Sequence, residues 1–324
     1  MKIVYEIERL STNGGIERIL TNRINYMADK WGWDITILVL LKGGDKPYYE
    51  VSPRVKIECL DITTSGIVMC AEALWKLNKA VKRINPDVYV TFQTIGALSC
   101  LFKTHGIRTI YEAHGTRKFM PHPLAMVVAE RCADVIVTLT KYHVADYPKA
   151  KCVEVIPNFT KDVVLSVPNY NSRLVVSAGR RCPEKNFERL EQLWSRIKEN
   201  HKEWQLKIHH DTKDMEAAYL EGSVFVMTSR FEGFGMVLIE AMSCGLPCIA
   251  FDCPYGPREI IEDGKTGYLI PYDNDDMFVE RLTYLMEHPE VREQMGRAAK
   301  ESVKRFSEEL VMKKWKQFYE SLPH

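Results

Sequence analysis

Between residues 224 and 251 the sequence sets out an apolar strand, a glycine bend, a helix and a second apolar strand, an order suited to layered α/β sheets. Residues 224–227 are apolar, and Gly233 and Gly235 bend the backbone after them. Val237, Leu238, Ala241 and Met242 then recur at helical spacing until Gly245-Leu-Pro247 stops the helix. Residues 248–251 form the next strand-like run. A glycine turn feeding a helix leaves backbone N–H groups and the positive end of the helix dipole aimed at one spot. Such a spot suits an anion, for example a diphosphate.

Two carboxylates flank that cradle: Glu232 on the loop before the bend, and Glu240 within the helix. Ionised carboxylates accept hydrogen bonds and so suit the hydroxyls of a sugar or a ribose. Taken alone, each is as readily a solvated glutamate, because 27% of the chain is charged.

Strand and helix alternate elsewhere too. Residues 2–7 are strand-like, and the turn Ser11-Thr-Asn-Gly-Gly15 leads into residues 16–29, where Ile19, Leu20, Ile24 and Met27 make a helical stripe. That turn lacks the GxGxxG spacing, which removes support for a nicotinamide cofactor. Residues 34–41 read as a strand buried on both faces, 55–60 as a shorter strand, 71–83 as a helix and 88–92 as a strand. Thr109-Ile-Tyr-Glu-Ala-His-Gly115 ends an apolar strand at a histidine. His114 therefore sits at a carboxyl edge, where open α/β sheets bind ligands, although a lone histidine is as readily structural.

Strands follow at 134–139 and 151–158, and the polar, turn-rich stretch 159–172 reads as a linker. Residues 174–178 open a second sheet, and Gly179-Arg-Arg-Cys-Pro-Glu-Lys-Asn186 precedes a helix at 187–199. Arg180 and Lys185 on that loop suit a pair of phosphates, Arg180 through its fork and Lys185 as a point charge. Solvated loop cations are the plainer alternative.

A length of 324 residues leaves room for two domains, each with its own core. The formal net charge of +1 gives no argument for nucleic acid. No apolar run reaches the roughly eighteen residues of a membrane span. Lys76, Lys79, Lys82 and Arg83 share one helix and suit either a solvated face or a peripheral contact with anionic lipid. The first nine residues read as a strand broken by charge and not as a signal peptide. Nine cysteines without a CxxC pair favour a reducing, cytoplasmic compartment, and Cys244, Cys248 and Cys253 read as buried thiols in preference to metal ligands.

The stretch Glu232-Gly-Phe-Gly-Met-Val-Leu-Ile-Glu-Ala-Met-Ser-Cys-Gly-Leu-Pro247, running on to Asp252-Cys-Pro-Tyr-Gly-Pro-Arg-Glu259, resembles the donor-site signature of retaining family 4 glycosyltransferases, the glycosyl transferases group 1. The resemblance implies an α/β fold of the GT-B kind, two Rossmann-like doubly wound domains facing across a cleft. It also implies that Glu232 touches the transferred sugar, that Glu240 takes the ribose hydroxyls, and that the backbone of Phe234, Gly235, Met236 and Val237 lines the sugar and diphosphate. Gly14-Gly-Ile-Glu-Arg18 is similar to the family's first loop, which implies that Gly14 and Gly15 approach the donor phosphates and the acceptor. The family's Gly-Arg-x-x-x-x-Lys pattern is matched at Gly179, Arg180 and Lys185, which implies that both cations meet the diphosphate. His114 matches a histidine that the family sets beside the reacting sugar. Members often carry Glu directly before it; here Ala113 intervenes, and no role is carried over to Glu112.

One region departs from that pattern. After the strand at 205–208 the family usually has a glycine-bearing loop, a helix and another strand, whereas here His209-His210-Asp211 leads straight on. The loss amounts to about seventeen residues at average element lengths, and it falls where the family helps hold the base. Adjacent strand residues point oppositely, so the His-His-Asp run makes a poor metal site. Past the signature, residues 260–270 resemble the family's closing hairpin-like strand, with Gly264 and Gly267 as turn residues.

The expectation is then an acceptor-side domain at 1–160, a nucleotide-sugar donor domain at 161–306 and a C-terminal helix at 307–324 that either caps the second domain or crosses back to the first. The resemblance implies a metal-independent retaining transfer of a hexosyl or N-acetylhexosaminyl group from a nucleoside diphosphate sugar, a UDP-sugar by the family's habit. The acceptor would be a saccharide or a lipid-linked molecule, in polysaccharide or glycoconjugate synthesis at the cytoplasmic side of a membrane, without cofactor or nucleic acid. The alternative is a nucleotide-sugar binding protein of the same fold with weak or no catalysis.

Overall fold

The computed structural model describes all residues except 103–105, 118–121, 162–165, 211, 213 and 324. The chain divides into two compact units, Met1–Ile156 with Lys314–His324, and Pro157–Lys313. Part of the expected linker, residues 162–165, and Asp211 of the His-His-Asp run lie outside the described residues.

The first unit is built on seven parallel strands. They are β1 (Lys2–Ile7), β2 (Asp34–Leu41), β3 (Lys56–Ile62), β4 (Val88–Thr91), β5 (Arg108–Ala113), β6 (Val135–Thr138) and β7 (Val153–Val155), in the order β3-β2-β1-β4-β5-β6-β7. Helices α1 (Gly15–Trp31), α2 (Gly66–Ile84), α3 (Gln93–Ser99) and α4 (Pro123–Cys132) cover the sheet. Covering both faces explains why six consecutive residues of β2 are buried. Val4, Leu38, Leu40, Leu77 and Val81 pack together in one core cluster, and Tyr111, Met126, Ala129 and Ile136 in another. Asn85 ends α2 in the left-handed conformation, its N–H returning to Val81 O. The winding direction reverses between β1 and β4, which pair through Ile3 opposite Val88.

The second unit carries five parallel strands, β8 (Leu174–Ala178), β9 (Gln205–His209), β10 (Val224–Met227), β11 (Cys248–Phe251) and β12 (Gly267–Ile270), ordered β12-β11-β10-β8-β9. The six-stranded doubly wound order is 3-2-1-4-5-6. Among the described residues its third strand has no counterpart, so β9 stands at the edge, in keeping with the short span in sequence between β9 and α6 (Met215–Leu220). The remaining helices are α5 (Phe187–Lys198), α7 (Met236–Ser243), α8 (Pro257–Ile260), α9 (Asp275–Glu287), α10 (Pro289–Ser302) and α11 (Glu308–Ser321). Leu190, Trp194, Val226, Ile249, Phe251 and Phe278 fill the core. The Arg189 guanidinium lies 3.8 Å from the Phe251 ring centre while donating to Asp275.

Three elements differ from their sequence readings. The stretch 260–270 forms no hairpin: β12 runs parallel to β11, and Gly264 N–H bonds Gly267 O in the turn before it. The expected strand at 151–158 shrinks to β7, because Pro157 cannot donate to a ladder. Helix α3 was masked in sequence by its shortness and by a start at Gln93, whose φ is 53°. The last helix, α11, begins in the second unit, and its residues from Lys314 onward group with the first.

Candidate active site

In the second unit the winding reverses between β8 and β10, and the loops leaving these two strands carry most of the expected donor residues. Lys185, on the loop after β8, donates from Nζ to Glu232 Oε1 at 2.6 Å. Ser229 Oγ donates to the same oxygen at 2.7 Å. The pair is largely buried, with 17% of the Lys185 side chain and 12% of that of Glu232 exposed. Burial alone would pull the Lys185 ammonium below its usual range, yet the Glu232 carboxylate outweighs it and holds the lysine above. Arg180, on the same loop, is exposed.

Glu232 is also fixed through its backbone. Its N–H donates to Pro254 O at 2.7 Å, and its carbonyl accepts from Tyr255 N–H at 2.8 Å. The loop before α7 is thereby laced to the loop after β11. Gly256 belongs to that second loop, and a Cβ there would lie 1.6 Å from Phe234 O, so only glycine permits the approach.

Gly235 is the N-cap of α7, with φ 99° in the left-handed region. It turns the chain into α7, whose first-turn N–H groups, those of Met236 and Val237 among them, have no intrahelical partners. Leu238 N–H already bonds Gly235 O. Within α7, Glu240 accepts from Tyr219 Oη at 2.9 Å, which orients a half-buried carboxylate one turn down the helix. Tyr219 comes from α6, 21 positions before Glu240, and its role exists only through this contact in the folded chain.

His210, next to the edge strand, bonds Gly179 O through Nδ1 at 2.8 Å and stands edge-on to the Phe187 ring at 5.0 Å. His209 points elsewhere, 3.9 Å from Glu221. Among the described residues no group of three or more His, Cys, Asp or Glu could hold a metal ion. Cys244, Cys248 and Cys253 are buried, and burial pushes each thiol up.

In the first unit, Gly14 caps α1 with extended backbone and Gly15 begins the helix, exposed, at the carboxyl edge of β1. His114 follows the end of β5. Its Nε2 lies 3.0 Å from Glu112 Oε2, and its ring stacks at a tilt on Phe92, 5.3 Å between centres. Glu112 receives both arms of Arg23 besides, NH1 to Oε2 at 2.9 Å and NH2 to Oε1 at 2.6 Å, and both side chains are 2% exposed. Burial would raise the Glu112 carboxyl, but Arg23 and then His114 reverse the shift and hold it below the usual range. Glu112 thus has a role that sequence spacing did not reveal. Residues 112 and 114 share a face, and Arg23 is 89 positions away from Glu112 in the chain.

Glu6, at the end of β1, was also missed. It is fully buried, and burial pushes its carboxyl up to about 8 against the weak pull of the Phe92 N–H at 3.4 Å.

Of the basic helix, Lys76 bonds Leu60 O and pairs with Glu72, Arg83 pairs with Glu58, and Lys79 lies 5.3 Å from the Trp75 ring centre. No helix among the described residues is long and apolar enough to cross a membrane.

Residues 208–302 match the family model for glycosyl transferases group 1. The chain is 27% identical to the amylovoran biosynthesis glycosyltransferase AmsD of Erwinia amylovora over 97% of its own length and 98% of that protein. It is 24% identical to the lipopolysaccharide 1,6-galactosyltransferase of Salmonella typhimurium over 87% of its own length and 89% of the relative. Its structure is similar to that of a TarM mutant from S. aureus, in complex with fondaparinux, alpha-GlcNAc-glycerol and UDP, at a TM-score of 0.80 and 14% identity, covering 99% of this chain and 100% of the other. That likeness extends over both sheets and identifies the architecture as GT-B.

Proposed function

Given a GT-B glycosyltransferase whose residues 208–302 belong to the glycosyl transferases group 1, we propose that this chain moves a hexosyl or N-acetylhexosaminyl group from a UDP-sugar to a saccharide or lipid-linked acceptor, with retention at the anomeric carbon. Polysaccharide or lipopolysaccharide assembly is the setting that the named relatives suggest. The observation that carries the reading is the convergence of Lys185, Glu232 and the glycine-bent N-terminus of α7 at the switch point of the second sheet.

Departure of UDP develops negative charge on the diphosphate while the sugar becomes oxocarbenium-like, and preorganised donors lower that barrier. Lys185, Arg180 and the N–H groups of Met236 and Val237 take the phosphate charge. As Lys185 turns to the diphosphate, Glu232 is released from its ion pair and keeps its Ser229 contact, free to accept from a sugar hydroxyl. Glu240, oriented by Tyr219, takes the ribose hydroxyls. His114 orients the transferred sugar. Gly14 and Gly15 allow close approach to phosphate and acceptor.

The second reading, nucleotide-sugar binding with little turnover, draws on the second sheet, which among the described residues has five strands and ends at β9. One assay separates the two. UDP release from a panel of UDP-sugars, with and without saccharide acceptors, rises with acceptor for a transferase. Binding without release supports the second reading instead.

A peripheral contact with anionic lipid would use the exposed face of α2, a reading supported by Val68 and Trp75, 63% and 62% exposed, beside Lys79. Sedimentation with anionic vesicles, lost in Trp75→Ala, tests it.

A further inference from the structure

We propose that Arg23 is a positioning residue for His114, acting through Glu112 to fix which imidazole nitrogen carries the proton. The inference rests on the assignment of His114 to the transferred sugar. Glu112 lies within β5, two residues before His114, and its Oε2 accepts from both Arg23 NH1 and His114 Nε2. An ionised carboxylate can only accept, so Nε2 must be the donor. In the neutral ring the lone pair then belongs to Nδ1, and Nδ1 is the atom left to accept from a sugar hydroxyl.

A buried carboxylate needs a compensating charge, and Arg23 provides it. Its fork engages the two oxygens of Glu112 at 2.9 and 2.6 Å, supplies the compensating positive charge, and leaves a cluster that is neutral overall when the imidazole is neutral.

The guanidinium is itself held by a built site. Arg23 lies within α1, with its charge centre 4.2 Å from the Trp315 ring centre and 5.4 Å from that of Tyr5. Tyr5 and Tyr319 hydroxyls bond each other at 2.8 Å beside it, and Trp315 stacks on Tyr319 at 5.5 Å. Trp315 and Tyr319 come from the end of α11, so the last helix of the chain sets the arginine that sets the carboxylate that sets the histidine. A buried arginine over aromatic faces is expensive to desolvate, and a purely structural role would be served as well by apolar packing.

The experiment uses full-length protein with labelled histidine. Nitrogen-15 shifts read the His114 tautomer, and kcat and KM for the donor are measured in parallel. Wild type should show the Nε2–H form. The double variant Arg23→Met with Glu112→Gln removes the pair while keeping charge balance. It should show mixed tautomers and lose kcat by about tenfold to a hundredfold, the usual size for a lost orienting partner, with KM changed far less. Arg23→Lys keeps the charge but loses the fork, and should lose kcat to a smaller degree; it supplies the readout if the double variant does not fold. An unchanged tautomer together with wild-type kcat in either folded variant overturns the proposal. Full activity in His114→Ala would instead overturn the assignment of His114, and the tautomer measurement would still decide what Arg23 does.

Discussion

The Lys185 ammonium and the Glu232 carboxylate meet at 2.6 Å, and this bond must give way when a diphosphate arrives. Replacing Lys185 by Ala should therefore weaken UDP binding by tenfold or more, the size of a lost charge-assisted hydrogen bond at roughly 1.5–3 kcal/mol. Glu232→Gln should behave oppositely toward the nucleotide. It no longer competes as an anion for Lys185, so UDP binds at least as tightly as to wild type while sugar transfer falls by about a hundredfold. Calorimetry and UDP release measure the two effects, and equal losses of binding in both variants would contradict the exchange.

Tyr219 donates to Glu240 at 2.9 Å, and removing only that hydroxyl tests whether Glu240 needs orienting. In Tyr219→Phe the donor KM should rise about fivefold, from a lost hydrogen bond worth roughly 1 kcal/mol. The kcat should hardly change, since ribose contacts are made equally in ground and transition states. Steady-state kinetics with varied UDP-sugar checks it.

Gly256→Ala puts a methyl where Phe234 O already sits, so the two loops around Glu232 must separate. Destabilisation of about 1–3 kcal/mol is expected from the overpacking. Donor binding should fall further than that fraction unfolded explains. Thermal melts with and without UDP distinguish the two, and a UDP-induced rise in Tm equal to that of wild type would count against the loop's role.

Glu6 supplies a pH dependence whose sign can be worked out. Its carboxyl is raised to about 8 in the folded protein, against an ordinary value of 4.5. Below the ordinary value it is protonated in both states and costs nothing. As pH rises towards 8 the unfolded chain ionises first, so the unfolded state gains and the fold is progressively weakened, by at most about 1.4 kcal/mol per pH unit. Above the folded value the penalty is constant. Glu6→Gln should remove that slope, so the stability difference between variant and wild type grows from pH 5 to pH 8 in chemical denaturation. A difference independent of pH would show that Glu6 ionises normally.

The sequence made some of this legible and concealed the rest for physical reasons. Gly235 announces itself because a bend into α7 needs a left-handed residue, and the E-x7-E spacing around it follows from the loop and helix that glycine creates. The alternation of strands and helices is local, and so are Arg180, Lys185 and His114 at strand ends. Contacts across the fold are not local. Glu112 looks misplaced in sequence because its value lies in Arg23, and Glu240 acquires its orientation from a tyrosine on another helix. Glu6 reads as a charge interrupting a strand, and only the packed sheet shows that it is wholly buried. The reading of 260–270 as hairpin-like failed because turn glycines suggest a reversal of direction, whereas the strand they precede pairs in parallel with β11.

The most direct test is the position of UDP in crystals of this chain. The β-phosphate should lie within hydrogen-bonding distance of Lys185 Nζ, the Arg180 guanidinium and the N–H groups of Met236 and Val237, with Lys185 no longer on Glu232. Nucleotide bound away from the start of α7, or a Lys185 still paired to Glu232 beside a bound diphosphate, would contradict it.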